Sequence, residues 1–245
     1  MKNGAGPRLV VAVPVKDLTH AKQRLMSVLT PDERGELARA MLRDVLRALA
    51  AADLECVWVV TRDAAASAIA RALGAEPLAE TENRGHTAAV ALAQAEAARR
   101  GAHSFLTVPG DVPCVTADEL RQIVDSVREG APVFVPSRSG LGTNGVALAP
   151  PDAMALTFGE PSFARHLETA RARGLAPRVL ALPGLGLDVD APEDLTALLA
   201  EQSTTETGQL VSSWRHAAPS QAPAGQVACA PDQPRRDPGP STSHR

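Results

Sequence analysis

The chain has 245 residues, of which 44% are hydrophobic, and a formal net charge of −3. This is enough for one α/β domain or two small ones in a soluble globular protein. The near balance of charge excludes a blanket attraction to nucleic acid or acidic membranes, and aromatic residues at 2% with no tyrosine argue against base-stacking platforms for single strands.

The elements are read in chain order. RLVVAVPV is a continuous apolar run, the signature of a parallel strand buried on both faces. TPDERGELARAMLRDVLRALAAA predicts a long helix. Thr30 and Glu33 are spaced as a capping box, Pro31 takes the first helical position, and Leu37, Met41, Val45 and Leu49 form one apolar face. CVWVV predicts the second strand, and AAASAIARALG a helix stopped by Gly74. HTAAVALAQAEAARRG is a helix stopped by Gly101, HSFLTV a central strand, TADELRQIVDSVREG a helix capped at Thr116, and PVFVPS a further strand. LGTNGVALAP reads as a short extended pair, EPSFARHLETARARG as a helix, RVLAL as a strand, and GLDVDAPEDLTALLA as a turn into a last helix. Strands alternating with helices predict a mostly parallel sheet covered on both faces, with ligands at the carboxyl ends of its strands.

Residues 1–200 are expected to form one domain. From 201 to 245 the chain is polar and proline-rich, and it reads as a disordered tail with Val211 and Trp214 as its only apolar anchors. Cys56, Cys114 and Cys229 are far apart with no CxxC pair, so neither a disulfide framework nor a zinc site is expected. No run reaches the ~18 apolar residues of a membrane span, and the first apolar run is too short for a signal peptide. A cytoplasmic protein is expected.

Four stretches carry polar chemistry. In FLTVPGDVPCV, Asp111 stands at the end of a buried strand between rigid turn residues, where it is as readily a turn cap as a ligand. In LDVDAPEDL, Asp188 and Asp190 are two apart and point to one side if the segment is extended. Alone, Asp190 is equally a helix cap. Together with Asp111 the pair could hold one or two Mg²⁺ ions around a nucleotide phosphate. VPVKDLTHAKQRL brings Lys16, Lys22 and Arg24 to the loop after the first strand, where they could neutralise a triphosphate. It is neither GxxxxGK[ST] nor GxGxxG. GTNGVALAP and FGEPSFARH supply glycines for close backbone approach, the hydroxyls of Thr143 and Ser162, a helix start, and His166 one turn on.

In this order, VPVK…AKQRL, PGDVP, GTN, FG…SF..H and DVDAPEDL resemble the guanylyltransferases of coenzyme F-420 biosynthesis, which act on 2-phospho-L-lactate, phosphoenolpyruvate or 3-phospho-D-glycerate. The match spans residues 10–196. It implies a nucleotide-diphospho-sugar-transferase-like (GT-A-like) three-layer α/β/α fold. It also implies GMP transfer from GTP to the phosphate of a small phosphorylated acid, with release of pyrophosphate. By the same resemblance Asp111, Asp188 and Asp190 are the Mg²⁺ ligands and catalytic acids. Thr143, Gly159 and Ser162 bind the acceptor, and Lys16, Lys22, Arg24 and Gly85 belong to the GTP side. The chain departs from the family where relatives read Gly-Leu-Asn before the third helix: here Gly85 is followed by His86 and Thr87. SFARH in place of the SSARH of phosphoenolpyruvate-type members leans toward 3-phosphoglycerate or phospholactate. The expected partners are small molecules, with no nucleic acid and no membrane; a homodimer and a hand-off of the labile product to the next enzyme are left open. The alternatives are another GT-A-like nucleotidyltransferase, a glycosyltransferase, or a non-catalytic GTP-binding regulator.

Overall fold

The computed structural model describes residues 8–217, apart from His20, Glu55, Asn83, Glu129, Gln202 and Ser203. The first strand, β1 (Leu9–Pro14), is buried from Val10 onward. A 3-10 turn at Gln23–Leu25 leads toward α1 (Pro31–Ala51), which starts at the expected capping box. The Thr30 side chain accepts from the Glu33 N–H, and the Glu33 carboxylate accepts from the Thr30 N–H. Then come β2 (Val57–Thr61), α2 (Ala64–Ala72) and β3 (Glu76–Ala79). β3 has no counterpart in the sequence reading. It is a partly exposed edge strand that includes Pro77, so no apolar run announces it.

The chain continues through α3 (His86–Arg99), β4 (Ser104–Thr107), α4 (Ala117–Arg128), β5 (Val133–Pro136), β6 (Thr143–Leu148) and α5 (Ser162–Ala172). It closes with β7 (Arg178–Val179), the one-turn α6 (Pro183–Gly186), α7 (Pro192–Ala200) and α8 (Glu206–Ala217). The strand order is β3-β2-β1-β4-β6-β5-β7. β3, β2, β1 and β4 pair in parallel, as do β5 and β7, whereas β6 runs antiparallel to both of its neighbours. The extended pair expected around Thr143 is therefore one strand. All six of its residues are buried because it is inserted between β4 and β5.

β1 divides the core by its alternation. Val11 and Val13 pack with Leu37, Met41, Leu120 and Leu198 on one face, while Val10 and Ala12 pack with Val90, Ala93 and Ala97 on the other. The result is the three-layer α/β/α arrangement with a mostly parallel sheet.

Part of the stretch expected to be a tail is folded. Asp44, buried in α1, accepts hydrogen bonds from the Glu206 N–H, the Thr207 N–H and the Thr207 hydroxyl, and so starts α8. Arg43 and Arg47 pair with the Glu206 carboxylate. Val211 is buried, and Trp214 packs against the same core. Composition hid this helix because its cap lies 162 and 163 residues away in sequence. Residues 218–245, the rest of the expected tail, lie outside the described residues.

Candidate active site

The turn after β4 is fixed from both sides. The Val108 N–H still donates to Ala12 O, and Gly110 sits so close to β1 that a Cβ there would come within 3.1 Å of Val15 Cγ2. At Asp111 the backbone carbonyl accepts the Val189 N–H at 3.0 Å. This bond joins the strand-end turn to the segment holding Asp188 and Asp190, and all three carboxylates line one cavity of about 650 Å³. Asp190 is not the cap of α7. The Asp194 carboxylate takes that part, accepting from the Asp190 and Ala191 N–H groups.

Asp188 is held by Asn144, whose Nδ2 donates to its Oδ1 at 3.0 Å and also to the carbonyls of Leu185 and Gly186. Burial pushes the Asp188 carboxyl above the usual aspartate range. The Asn144 bond opposes this, and the charges of Asp111 and Asp190 add to it.

Lys22 answers those charges. Its backbone is left-handed, with φ 56° and ψ 44°, which is uncommon away from glycine. Its ammonium lies 2.6 Å from Asp111 Oδ2 and 2.6 Å from Asp190 Oδ1, with the side chain 7% exposed. Burial alone would lower its pKa; the two carboxylates outweigh burial and raise it above the ordinary lysine value. Hard carboxylate oxygens converging on one cavity suit a divalent cation. Among the described residues, though, no group of three or more His, Cys, Asp and Glu side chains stands together at metal-binding spacing. The acids fit Mg²⁺ by their chemistry, and Lys22 shares two of them.

A second cavity, of about 620 Å³, adjoins the first and shares His86, Pro109, Asp111 and Asp190 with it. Lys16 and Lys22 line the second cavity, whereas Arg24 lines the first, so the three cations of the first loop are divided between them. The loop itself is pinned: the Leu18 N–H donates to the Asp63 carboxylate, and the Thr61 hydroxyl donates to Lys16 O. Among the described residues that line the cavities, Gly85 is absent. It precedes α3 with φ 94° and places His86 on the wall between the two spaces. Burial holds the His86 imidazole below the ordinary histidine pKa, with Asp111 opposing and Lys16 assisting.

Thr143, Gly159 and Ser162 line the first cavity together and are not among the described residues that line the second. Thr143 Oγ1 is 3.1 Å from Ser162 Oγ and 3.0 Å from His166 Nδ1. Of the glycines read as room for a ligand, Gly145 serves packing instead, since a Cβ there would meet Leu185 Cδ2 at 2.9 Å. Sequence reasoning missed Asn144 and Arg138, both on the cavity wall. Asn144 follows Thr143 directly in GTN, a motif read for its hydroxyl and glycine. Arg138 sits in a loop with no motif.

The cavities lie at the carboxyl edge of the sheet, and the fold is nucleotide-diphospho-sugar-transferase-like. A crystal structure from Desulfovibrio desulfuricans described as a nucleotide-diphospho-sugar transferase superposes with a TM-score of 0.71 at 17% identity, covering 86% of this chain and 96% of that one. Residues 9–229 match the family model described as "Guanylyl transferase CofC like", and the chain belongs to that family. It is 42% identical over 190 residues to a phosphoenolpyruvate guanylyltransferase of Sphaerobacter thermophilus, covering 77% of this chain and 91% of the relative. To a 2-phospho-L-lactate guanylyltransferase of Methanothermobacter thermautotrophicus it is 34% identical over 203 residues, covering 83% and 89%. Among the described residues, no helix is long and apolar enough to cross a membrane.

Proposed function

We propose that this protein transfers GMP from GTP to the phosphate of a small phosphorylated carboxylic acid, phosphoenolpyruvate first among the candidates, and releases pyrophosphate as a step toward coenzyme F-420. The observation that carries the reading is the wall of Asp111 and Asp190 common to two cavities, one bearing Lys16 and Lys22, the other bearing Thr143 and Ser162. A reaction between two anions needs this partition, with cations on the leaving side, donors on the acceptor side, and a charge-compensating centre between.

In this reading GTP lies on the Lys16 side. Lys16 offsets charge on its β- and γ-phosphates as pyrophosphate leaves, while the Lys22 ammonium stays with Asp111 and Asp190. The acid lies on the Thr143, Gly159 and Ser162 side, with Arg24 and Arg138 facing the same space. Its phosphate is ionised at neutral pH, so attack at the α-phosphorus needs no general base. Asp111, Asp188 and Asp190 would hold Mg²⁺, which when bound supplies charge neutralisation between the two phosphates. Asn144 orients Asp188 for this, and Lys22 keeps Asp111 and Asp190 from parting.

The choice of phosphoenolpyruvate follows the relatives of 38–42% identity that carry that name. SFARH does not speak against it. Phe163 packs on the apolar core behind the cavity and is not among the described residues that line it. The catalytic unit is proposed to run through α8.

The test is pyrophosphate release from the full chain with Mg²⁺, one of GTP, ATP, CTP or UTP, and one of the three acids, with the next pathway enzyme present to trap a labile product. Release that requires GTP and phosphoenolpyruvate supports the reading. Preference for another nucleotide, or release without an acid, contradicts it.

A further inference from the structure

We propose that His166 is a positioning residue that anchors Thr143 by donating Nδ1–H to it, and so holds the Thr143–Ser162 hydroxyl pair in place without consuming the one O–H donor that the pair presents to the acceptor. This rests on the reading of Thr143 and Ser162 as the acceptor-binding side.

The Thr157 N–H donates to His166 Nε2 at 3.0 Å. An amide N–H can only donate, so Nε2 carries a lone pair and the ring proton of the neutral imidazole is on Nδ1. Nδ1–H therefore donates to Thr143 Oγ1 at 3.0 Å, and Thr143 Oγ1 is bonded in turn to Ser162 Oγ at 3.1 Å. The three groups hold three protons: Nδ1–H and the two hydroxyls. Their two mutual bonds use two of them. The third has no acceptor among the described residues, and both hydroxyls line the cavity, so it faces the ligand. With the other tautomer Thr143 would have to donate to the ring, both hydroxyl protons would be consumed, and none would remain.

A phosphate or carboxylate oxygen only accepts hydrogen bonds, so the tautomer decides whether this side attracts an anion. His166 cannot turn away to satisfy itself elsewhere. It is 2% exposed, stacked on Phe134 with ring centroids 5.8 Å apart and edge-on to Phe158 at 5.2 Å. Phe158 is fixed in its own right by its N–H, which donates to Thr87 Oγ1 at 3.0 Å. Thr87, in the stretch that departs from the family pattern, thus helps to hold the ring that holds the chain.

Nitrogen-15 NMR of the wild-type histidines reads the tautomer directly. A protonated Nδ1 on His166 is expected, and a protonated Nε2 overturns the proposal. Kinetics then separates orientation from packing. H166F keeps an aromatic ring and removes the Nδ1–H that anchors Thr143; the hydroxyl pair still has one proton to spare but is no longer held in place, so the KM for phosphoenolpyruvate should rise by roughly tenfold, the worth of one anchoring hydrogen bond, and the KM for GTP should stay unchanged. H166N places an amide nitrogen where Nδ1 stood and should stay within about threefold of wild type, since its donor is retained. A folded H166F with unaltered KM for the acid, or a folded H166N as impaired as H166F, overturns the proposal. Should H166F fail to fold, the tautomer and H166N decide. The double variant T143V/S162A, which removes both hydroxyls, separates the two layers: if it leaves the acid's KM unchanged, the acceptor-side reading itself fails, and if it raises that KM while H166F does not, only the role of His166 fails.

Discussion

The Lys22 ammonium lies 2.6 Å from Asp111 Oδ2, joining the loop after β1 to the turn after β4 across 89 residues of sequence. With the matching contact to Asp190 it makes one cation the internal partner of two site acids. K22M should leave those acids facing each other with no buried cation between them, and turnover should fall on the order of a hundredfold or more. K22R should not restore it, because a planar guanidinium cannot enter a gap shaped for an ammonium. Steady-state pyrophosphate release measures both; near wild-type turnover in K22M would mean that the contact is incidental.

Asn144 should behave as part of the acid cluster. N144A removes the donor to Asp188 and to the Leu185 and Gly186 carbonyls, so both rate and stability are affected. A loss of about 1–3 kcal/mol in unfolding free energy is expected, together with a kcat lowered by roughly tenfold or more. Denaturant unfolding and steady-state kinetics on one preparation test the pair of effects. A change in stability alone would confine Asn144 to the α6 turn.

His166 makes stability depend on pH. Burial, with the Arg165 charge assisting, lowers its pKa from 6.5 to about 4. Between those values the unfolded chain binds a proton at this side chain that the folded chain does not. The contribution is therefore complete above about pH 6.5 and is lost as pH falls toward about 4. Taking the unfolded value of 6.5, about 2 kcal/mol should disappear between neutral pH and about pH 5. Urea unfolding of wild type and H166N across that range should show a steeper decline for wild type. Parallel curves would contradict the assignment.

The α1–α8 contact carries its own expectation. Two shortened chains compare it, one ending after residue 217 and one after residue 200. The shorter loses the buried Val211 and the group capped by Asp44, and should be less stable than the longer by about 2 kcal/mol or more. D44A should cost about 1–2 kcal/mol in the full chain. Thermal unfolding of the variants compares them, and equal melting temperatures would show that α8 adds nothing to the folded unit.

The parts legible in the sequence were those encoded locally. The capping boxes at Thr30 and Thr116, the apolar run of β1 and the strand-end position of Asp111 each follow from neighbours a few residues away. That Asp111, Asp188 and Asp190 face one cavity was readable because all three lie where strands or turns meet the carboxyl edge of the sheet. What escaped depends on distant partners. No property of Lys22 itself foretells that it turns to Asp111 and Asp190 rather than only toward phosphate; the left-handed backbone and the second carboxylate decide it. Asn144 is an ordinary polar residue until the α6 turn brings Leu185, Gly186 and Asp188 to its amide. β3 was invisible because an edge strand needs no apolar alternation, and α8 because its cap is supplied by α1.

The central claim is that the cavity wall of Asp111 and Asp190 lies between a bound nucleotide and a phosphorylated acid. The most direct measurement follows the α-phosphate: GTP labelled at that position is incubated with Mg²⁺, phosphoenolpyruvate and either wild-type protein or D111N, and the products are separated. Label should move with wild type into an adduct that also contains the acid, with stoichiometric pyrophosphate, and D111N should form it at least a hundredfold more slowly, on the order expected for a misplaced charged centre. Label recovered only as free GMP, or an adduct formed as fast by D111N, would contradict the claim.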